Sequence, residues 1–326
     1  MLPYNQELGP VKGLTDIAGI KVGHISDFEA ITGCTAILCE EGGIGGVDIR
    51  GSATGTEEIA TLDPGHVTPQ VHGILLAGGS AFGLEAASGV RRYLEHRGFG
   101  YNTGAAKVPI VPAAILYDLG IGKAGVRPTA AMGEAAAAAA SGDAVKEGCV
   151  GAGTGATVGK IFGMGRAMKS GIGTFTVELA GGVLVSALVV VNALGDVRDA
   201  GTGKIVAGAR TTAAGRDFAD SNREMMRGSV PGAVGRGNTT LAVAATNARL
   251  TKVQANKLAA LASLGVARSI YPVNTMFDGD ITFALSVGTK SADINALGTA
   301  AAEAVAQAIL RAVRLAKTLG GVPGLG

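Results

Sequence analysis

TTLAVAATNARL (Thr239–Leu250), TKVQANKLAALASLG (Thr251–Gly265), GDITFALSVGT (Gly279–Thr289) and SADINALGTAAAEAVAQAILRAVRLAKTL (Ser291–Leu319) are consecutive and alternate in character. The first is an apolar, β-branched run of strand length. The second opens on Thr251 with Gln254 three residues later, a capping box, and predicts a helix that ends at Gly265. The third alternates as a strand does. The fourth repeats apolar residues at helical spacing, which puts Ile294, Leu297, Val305, Ile309 and Val313 on an inward face. Strands apolar on both faces, alternating with helices, predict an α/β layered architecture.

Working outward, HGILLAGGSAFGLEAASGVRRYLEHRG predicts a strand at His72–Ala77, a turn through Gly78, Gly79 and Gly83, and a helix from about Leu84 to about His96. Thr129 is placed to cap a second, Ala-rich helix. TFTVELAGGVLVSALVVVNALG predicts two strands joined by a hairpin at Gly181–Gly182. The Gly-rich stretch from Glu40 to Thr56 reads as loop. So does the polar segment Asp196–Arg236, which ends in a Pro231–Gly232 turn. GAGTGATVGKIFGMGRAMKSGIGT, from Gly151, holds too many glycines for a regular element. No fixed-period repeat or long linker divides the chain, so one domain is expected.

Composition excludes several function classes. A chain that is 47% hydrophobic and 17% charged has material for a large core and is no disordered segment. The net charge is only +2 and the basic residues are scattered, so a nucleic-acid face is not expected. No uncharged apolar run reaches the ~18 residues of a membrane helix, and the start resembles no signal peptide. Cys34, Cys39 and Cys149 are an odd set without zinc spacing, and the four histidines show no ligand pattern. No metal, no cofactor and a cytoplasmic location are the expectation.

Chemistry concentrates at GRGNTTLAVAATN (Gly235–Asn247), where a Gly-rich loop runs into Asn238 and a hydroxyl residue, Thr239, begins a core strand. Self-cleaving hydrolases need this arrangement. The hydroxyl attacks the preceding carbonyl, water splits the resulting ester, and the freed α-amine, with an ordinary pKa of about 7.7–8.0, serves as base for its own hydroxyl. From spacing alone, a Thr pair that simply opens a strand is the preferred reading. The Asp278-Gly279-Asp280 triplet likewise reads either as two carboxylates on one strand face or as a turn ahead of a strand.

Seven blocks in order resemble the self-processing L-aminopeptidase/D-esterase-amidase family, which includes β-peptidyl aminopeptidases and nylon-oligomer (6-aminohexanoate) endohydrolases. They are GLTDIAGIKVGH (Gly13–His24), LAGGSAFGLEAASGV (Leu76–Val90), VPAAILYDL (Val111–Leu119), GAGTGATVGK (Gly151–Lys160), VVVNALGDV (Val189–Val197), GNTTLAV (Gly237–Val243) and MFDGDITFALSVG (Met276–Gly288). The resemblance implies a four-layer α/β/β/α sandwich of the N-terminal-nucleophile kind. It implies cleavage at Asn238–Thr239 into a large chain 1–238 and a small chain 239–326. Thr239 then matches the nucleophile, and Asn192 an amide donor to the oxyanion. Lys160 matches a polar residue of the Thr-type enzymes, and Tyr117 a pocket hydroxyl. Asp278 and Asp280 match a carboxylate pair that anchors an amine and orients Lys160, with their individual roles open. A homo-oligomer, a tetramer of processed pairs, is also implied. Many relatives carry Ser at the nucleophile. The Thr and both Asp residues are shared with the nylon-oligomer type, whereas the longer insertions of that type before the cleavage site are missing. Substrates with a free amino terminus are the common denominator.

Two rival readings fit less of the chain. Gly151, Gly153 and Ala156 fit a GxGxxA nucleotide fingerprint, but Thr154 and Ile161 break a phosphate-loop pattern, and glycines follow where a helix should open. Ornithine acetyltransferases also self-cleave before a Thr, but at Ala-Thr-Met-Leu, unlike Asn238-Thr239-Thr240-Leu241.

Overall fold

The computed structural model describes residues 13–229 and 237–326, so the expected Pro231–Gly232 turn, together with Gly235 and Arg236, lies outside the described residues. Nine strands of the described residues form one hydrogen-bonded sheet: β1 (Lys21–Asp27), β2 (Thr32–Ile49), β3 (Gly55–Glu57), β4 (Val71–Ala77), β5 (Ala113–Ile115), β6 (Ile172–Leu179), β7 (Val183–Asn192), β8 (Thr239–Ala248) and β9 (Ile281–Lys290). Their order is β6-β7-β8-β9-β2-β4-β5-β3, with β1 also paired to β2. The helices are α1 (Glu85–His96), α2 (Ala130–Ala138), α3 (Ser221–Met226), α4 (Lys252–Ser269) and α5 (Ile294–Arg314).

The long strand β2 joins two groups of strands. Cys34–Leu38 pair antiparallel with β4, while Ile44–Ile49 pair antiparallel with β9. Side-chain alternation then divides the apolar material into three slabs. Ile74 and Leu76 of β4 meet Leu188, Leu241 and Phe283 between the two strand groups. Leu75 points the other way, to Val90 and Leu94 of α1. Val189 and Ala244 face Leu258 of α4 and Val305 and Ile309 of α5. Helices are therefore outermost on both sides of the sheet. Although α5 is long and apolar enough to cross a membrane, most of it is buried inside the protein.

Local signals placed many of these elements. Thr251 and Gln254 form the capping box, Thr129 accepts from the Met132 N–H, and Gly181 and Gly182 take positive φ between β6 and β7. Three expectations fail. The loop expected over Glu40–Thr56 is largely strand, because β2 runs on to Ile49. Its glycines serve close packing: a Cβ at Gly46 would overlap the backbone of Ala255 in α4. The helix expected to stop at Gly265 continues to Ser269, since Gly265 lets α4 approach the Ala302 carbonyl of α5. The exposed loop expected from Asp196 contains α3 and two short strands, 196–198 and 205–207. Asp196 itself is buried and accepts from Ala209 N, Ser221 N and the Ser221 hydroxyl. Its short sequence range gave no apolar periodicity to read.

Gly46→Ala tests the packing role. The added methyl must push α4 off the sheet, an overpacking cost of about 1–3 kcal/mol. A lower thermal midpoint by calorimetry, with unchanged circular dichroism at 25 °C, is the expected outcome.

Candidate active site

Thr239 is the first residue of β8 and sits across the antiparallel ladder from Asn192, the last residue of β7. On its other side β8 runs parallel to β9, and the bridge Asn238–Asp278 continues the same register one residue ahead of β8 and three ahead of β9. Three chain segments therefore converge on one peptide bond. The Thr239 hydroxyl donates to the Asn238 carbonyl at 2.5 Å, and the Gly279 N–H donates to the same oxygen at 2.7 Å. The Asn238 N–H and side-chain amide both donate to the Phe277 carbonyl, at 3.3 and 3.1 Å. Thr239, Asn238, Asn192, Lys160, Asp278 and Asp280 are all 3% exposed or less, so the bond lies in low dielectric.

Behind Asn192 stands Lys160. Its Nζ donates to Asn192 O at 2.9 Å and to Asn192 Oδ1 at 2.8 Å. Oδ1 also accepts the Thr157 N–H at 3.1 Å, which fixes the orientation of the amide. One Nδ2 hydrogen goes to the Tyr117 carbonyl at 3.0 Å, leaving the second available. Tyr117 thus enters through its backbone and through its ring, which packs against Gly237 so closely that a Cβ there would overlap it. Beside these groups a small cavity, with room for about one water, is lined by Tyr117, Asp118, Thr157, Lys160, Met164 and Gly237.

Asp278 and Asp280 do not lie on a strand face; they precede β9 in the approach to it. Asp278 Oδ2 accepts from the Thr275 N–H at 3.0 Å and its hydroxyl at 2.5 Å, while Oδ1 accepts from Leu194 N at 3.4 Å. Asp280 Oδ1 accepts from Thr240 N at 2.6 Å and Oδ2 from Asn274 N at 3.0 Å. The pair braces the turn at 274–277 and the first peptide of β8. The turn alternative was thus nearer the mark, and the carboxylates do their holding from it.

Burial dominates the electrostatics. It pushes the Lys160 ammonium down to about 7, against the pull of Asp278 and Asp280. It pushes Asp280 up to about 7, with the Asp278 charge adding to the effect. Asp278 is raised as well, again by burial, with Thr275 and Lys160 opposing. Lys160 and Asp280 both change charge near neutrality, where acid–base catalysis is most effective.

Two contributors carry no motif of their own. Lys169 is fully buried and donates to Ala156 O at 2.7 Å, Ser170 O at 2.8 Å and Gly153 O at 3.3 Å, gathering the glycine segment that delivers Thr157 and Lys160. Asp118 is buried beside the cavity and accepts from the Thr32 hydroxyl and the Gly79 N–H, both at 2.7 Å. The available signal for each was a lone charge in an apolar or glycine-rich run. The glycine segment itself forms a short 3-10 turn at Gly151–Gly153 and opens no α-helix, unlike a dinucleotide fingerprint. Among the described residues no cluster of His, Cys, Asp or Glu has the geometry to hold a metal.

Asn192→Ala leaves the fold's main cores intact but removes the amide donor. A fall in kcat on the order of 10²–10³ is expected if its second hydrogen serves the oxyanion, and steady-state kinetics check it.

Known proteins resemble this chain over nearly its whole length. The model of the family Peptidase family S58 matches residues 12–325. An uncharacterized aminopeptidase of Mycobacterium leprae (strain TN) is 37% identical, over 96% of this chain and 93% of that protein. A 6-aminohexanoate-oligomer endohydrolase of Kocuria sp. (strain KY2) is 33% identical, over 92% of this chain and 85% of that protein. The L-aminopeptidase D-Ala-esterase/amidase of Ochrobactrum anthropi, described as a variant among the Ntn hydrolase fold, superposes with a TM-score of 0.73 at 22% identity, covering 98% of this chain and 91% of that one. A Burkholderia sp. beta-aminopeptidase superposes with a TM-score of 0.70 at 24% identity, covering 98% and 92%. Those two likenesses carry the fold, a variant of the Ntn-hydrolase type with helices flanking a central sheet. By its family match and its relatives, the chain belongs to peptidase family S58 and is a hydrolase of peptide and amide bonds.

Proposed function

We propose that this is a self-processing N-terminal-threonine hydrolase, with its strands and helices in the order of a four-layer α/β/β/α sandwich. Cleavage at Asn238–Thr239 yields chains 1–238 and 239–326, which stay associated through β8, a strand in the middle of the sheet. The observation that carries this proposal is the placement of the Thr239 hydroxyl and the Gly279 N–H on one carbonyl, that of Asn238. In the mature enzyme the Thr239 hydroxyl attacks a substrate carbonyl and its own α-amine takes the proton. An acyl-enzyme forms and water releases the acid. Asn192 donates to the oxyanion, while Asp278 and Asp280 hold the two chain ends in register.

The substrate proposed is a small peptide, amino-acid amide or ester with a free amino terminus. A second substrate class, 6-aminohexanoate oligomers, is favoured by the 33% identical relative of that activity. Exposed Phe28, Val67, Phe82 and Met276 supply apolar surface for the oligomer expected of such pairs. The test is hydrolysis of alanine p-nitroanilide, β-alanine amide and 6-aminohexanoate dimer by purified protein, with the N-blocked form of each as control. Turnover of free-amine substrates only is expected. Equal turnover of blocked substrates, or acetyl transfer from acetylornithine to glutamate, overturns the proposal.

A further inference from the structure

We propose that the backbone N–H of Gly279 is the oxyanion donor for cleavage of the Asn238–Thr239 bond; this rests on the self-processing reading above. The Asn238 carbonyl receives two donors, the Thr239 hydroxyl and the Gly279 N–H. Only the second survives the chemistry. As the Thr239 oxygen bonds to the Asn238 carbon it loses its proton, and the carbonyl electrons move onto the oxygen. The tetrahedral intermediate then expels the Thr239 nitrogen, which leaves as an amine after taking up that proton. The product is an ester between the Asn238 acyl group and the Thr239 oxygen. Water adds to the ester, restores the hydroxyl and leaves a carboxylic acid on Asn238. Throughout, the oxygen that becomes negative is the one the Gly279 N–H already meets at 2.7 Å in the uncleaved chain, so the donor is in place before charge develops on it.

The geometry around Gly279 fits this role. The bond is one rung of the parallel pairing that continues past the ends of β8 and β9, so the sheet holds its direction. The neighbouring rung, Asn238 N–H to Phe277 O, ties the same residue to the same segment a second time. A side chain at 279 would bring its Cβ to 2.9 Å from the Thr239 Oγ and 2.6 Å from the Ala53 carbonyl. Glycine is therefore the residue that brings an N–H to the carbonyl while leaving the nucleophile its space. The flanking Asp278 and Asp280 fix the peptide through Thr275, Leu194, Thr240 and Asn274. An acyl-enzyme formed from substrate has the same ester linkage, so the same N–H meets its carbonyl.

The test replaces the N–H by an oxygen and leaves every side chain in place. Glycolic acid at position 279, introduced by nonsense suppression in cell-free translation, replaces the amide with an ester. Self-cleavage is followed by intact mass. The ester also weakens the Asp278 carbonyl, which accepts from the Ala53 N–H at 2.9 Å, so lactic acid at position 53 is the control that deletes that bond. Cleavage on the order of 10²–10³ slower with the 279 ester, and within about 3-fold of wild type with the 53 ester, is the expected pair of results. Wild-type speed with the 279 ester overturns the proposal, and so does equal slowing by both esters, which marks a merely structural bond. If wild-type protein from the same translation never cleaves, self-processing itself fails, and that outcome is told apart because no ester is involved.

Discussion

Thr239→Ala is expected to run as one 32.2 kDa chain and to hydrolyse no substrate. Wild type should separate under denaturing conditions into fragments of about 23 and about 9 kDa, apportioned by residue count. The reason is chemical: without the hydroxyl no group can add to the Asn238 carbonyl from within β8, and no α-amine is ever released. The fold should survive. Thr239 is 3% exposed and its hydroxyl donates to its own preceding carbonyl, so the loss is about 1 kcal/mol. Thr239→Ser restores the hydroxyl and should restore both fragments. Intact mass spectrometry, with Edman sequencing of the small fragment, reads the result. A small fragment that begins anywhere but Thr239, or an Ala variant that still splits there, removes Thr239 from the mechanism.

The second large effect is expected at Lys160. Before cleavage the Thr239 nitrogen is a peptide nitrogen and has no lone pair to offer, so the precursor needs another base. Lys160 sits under Asn192, directly across the ladder from Thr239. As a neutral amine it has two N–H donors, which match its two bonds to Asn192, and one free lone pair. Burial holds its pKa near 7, so the neutral form predominates at slightly alkaline pH. Self-cleavage should therefore accelerate as pH rises through about 7 and then level off. Lys160→Met should slow it by about 10²–10⁴-fold and flatten that profile. The stability sign is distinct. Between about 7 and the ordinary 10.5 the unfolded chain binds a proton at Lys160 that the native state does not. This group's contribution thus improves as pH rises across that window and is lost as pH falls through it. Lys160→Met abolishes that dependence. Denaturant unfolding at pH 7 and pH 10 measures it, and a variant that keeps the wild-type pH profile of cleavage sinks the base assignment.

What was legible in the sequence followed from short-range rules. The capping box at Thr251, the cap at Thr129 and the hairpin at Gly181–Gly182 each depend on a few neighbouring residues, and each forms as expected. The glycines at 46 and 265 were misread because glycine has two uses. It punctuates turns, and it lets backbones touch; the second depends on a partner more than thirty residues away in sequence. The same difficulty hid Lys169, two of whose three acceptors, the Gly153 and Ala156 carbonyls, belong to a segment it meets only after folding.

By itself the sequence determined the alternation of strands and helices, the family, and the residues brought together at one point, because these rest on local periodicity and on blocks preserved in order. Tertiary structure decided how those residues divide the work. It set Asn192 opposite Thr239 through strand register, turned Tyr117 to the site through its carbonyl, and placed the Asp pair on a turn that braces β8. It also set the Gly279 N–H on the Asn238 carbonyl. A backbone donor has no letter in the sequence, since every residue but proline carries one, and only the packing of β8 against the approach to β9 selects which N–H meets the bond to be broken.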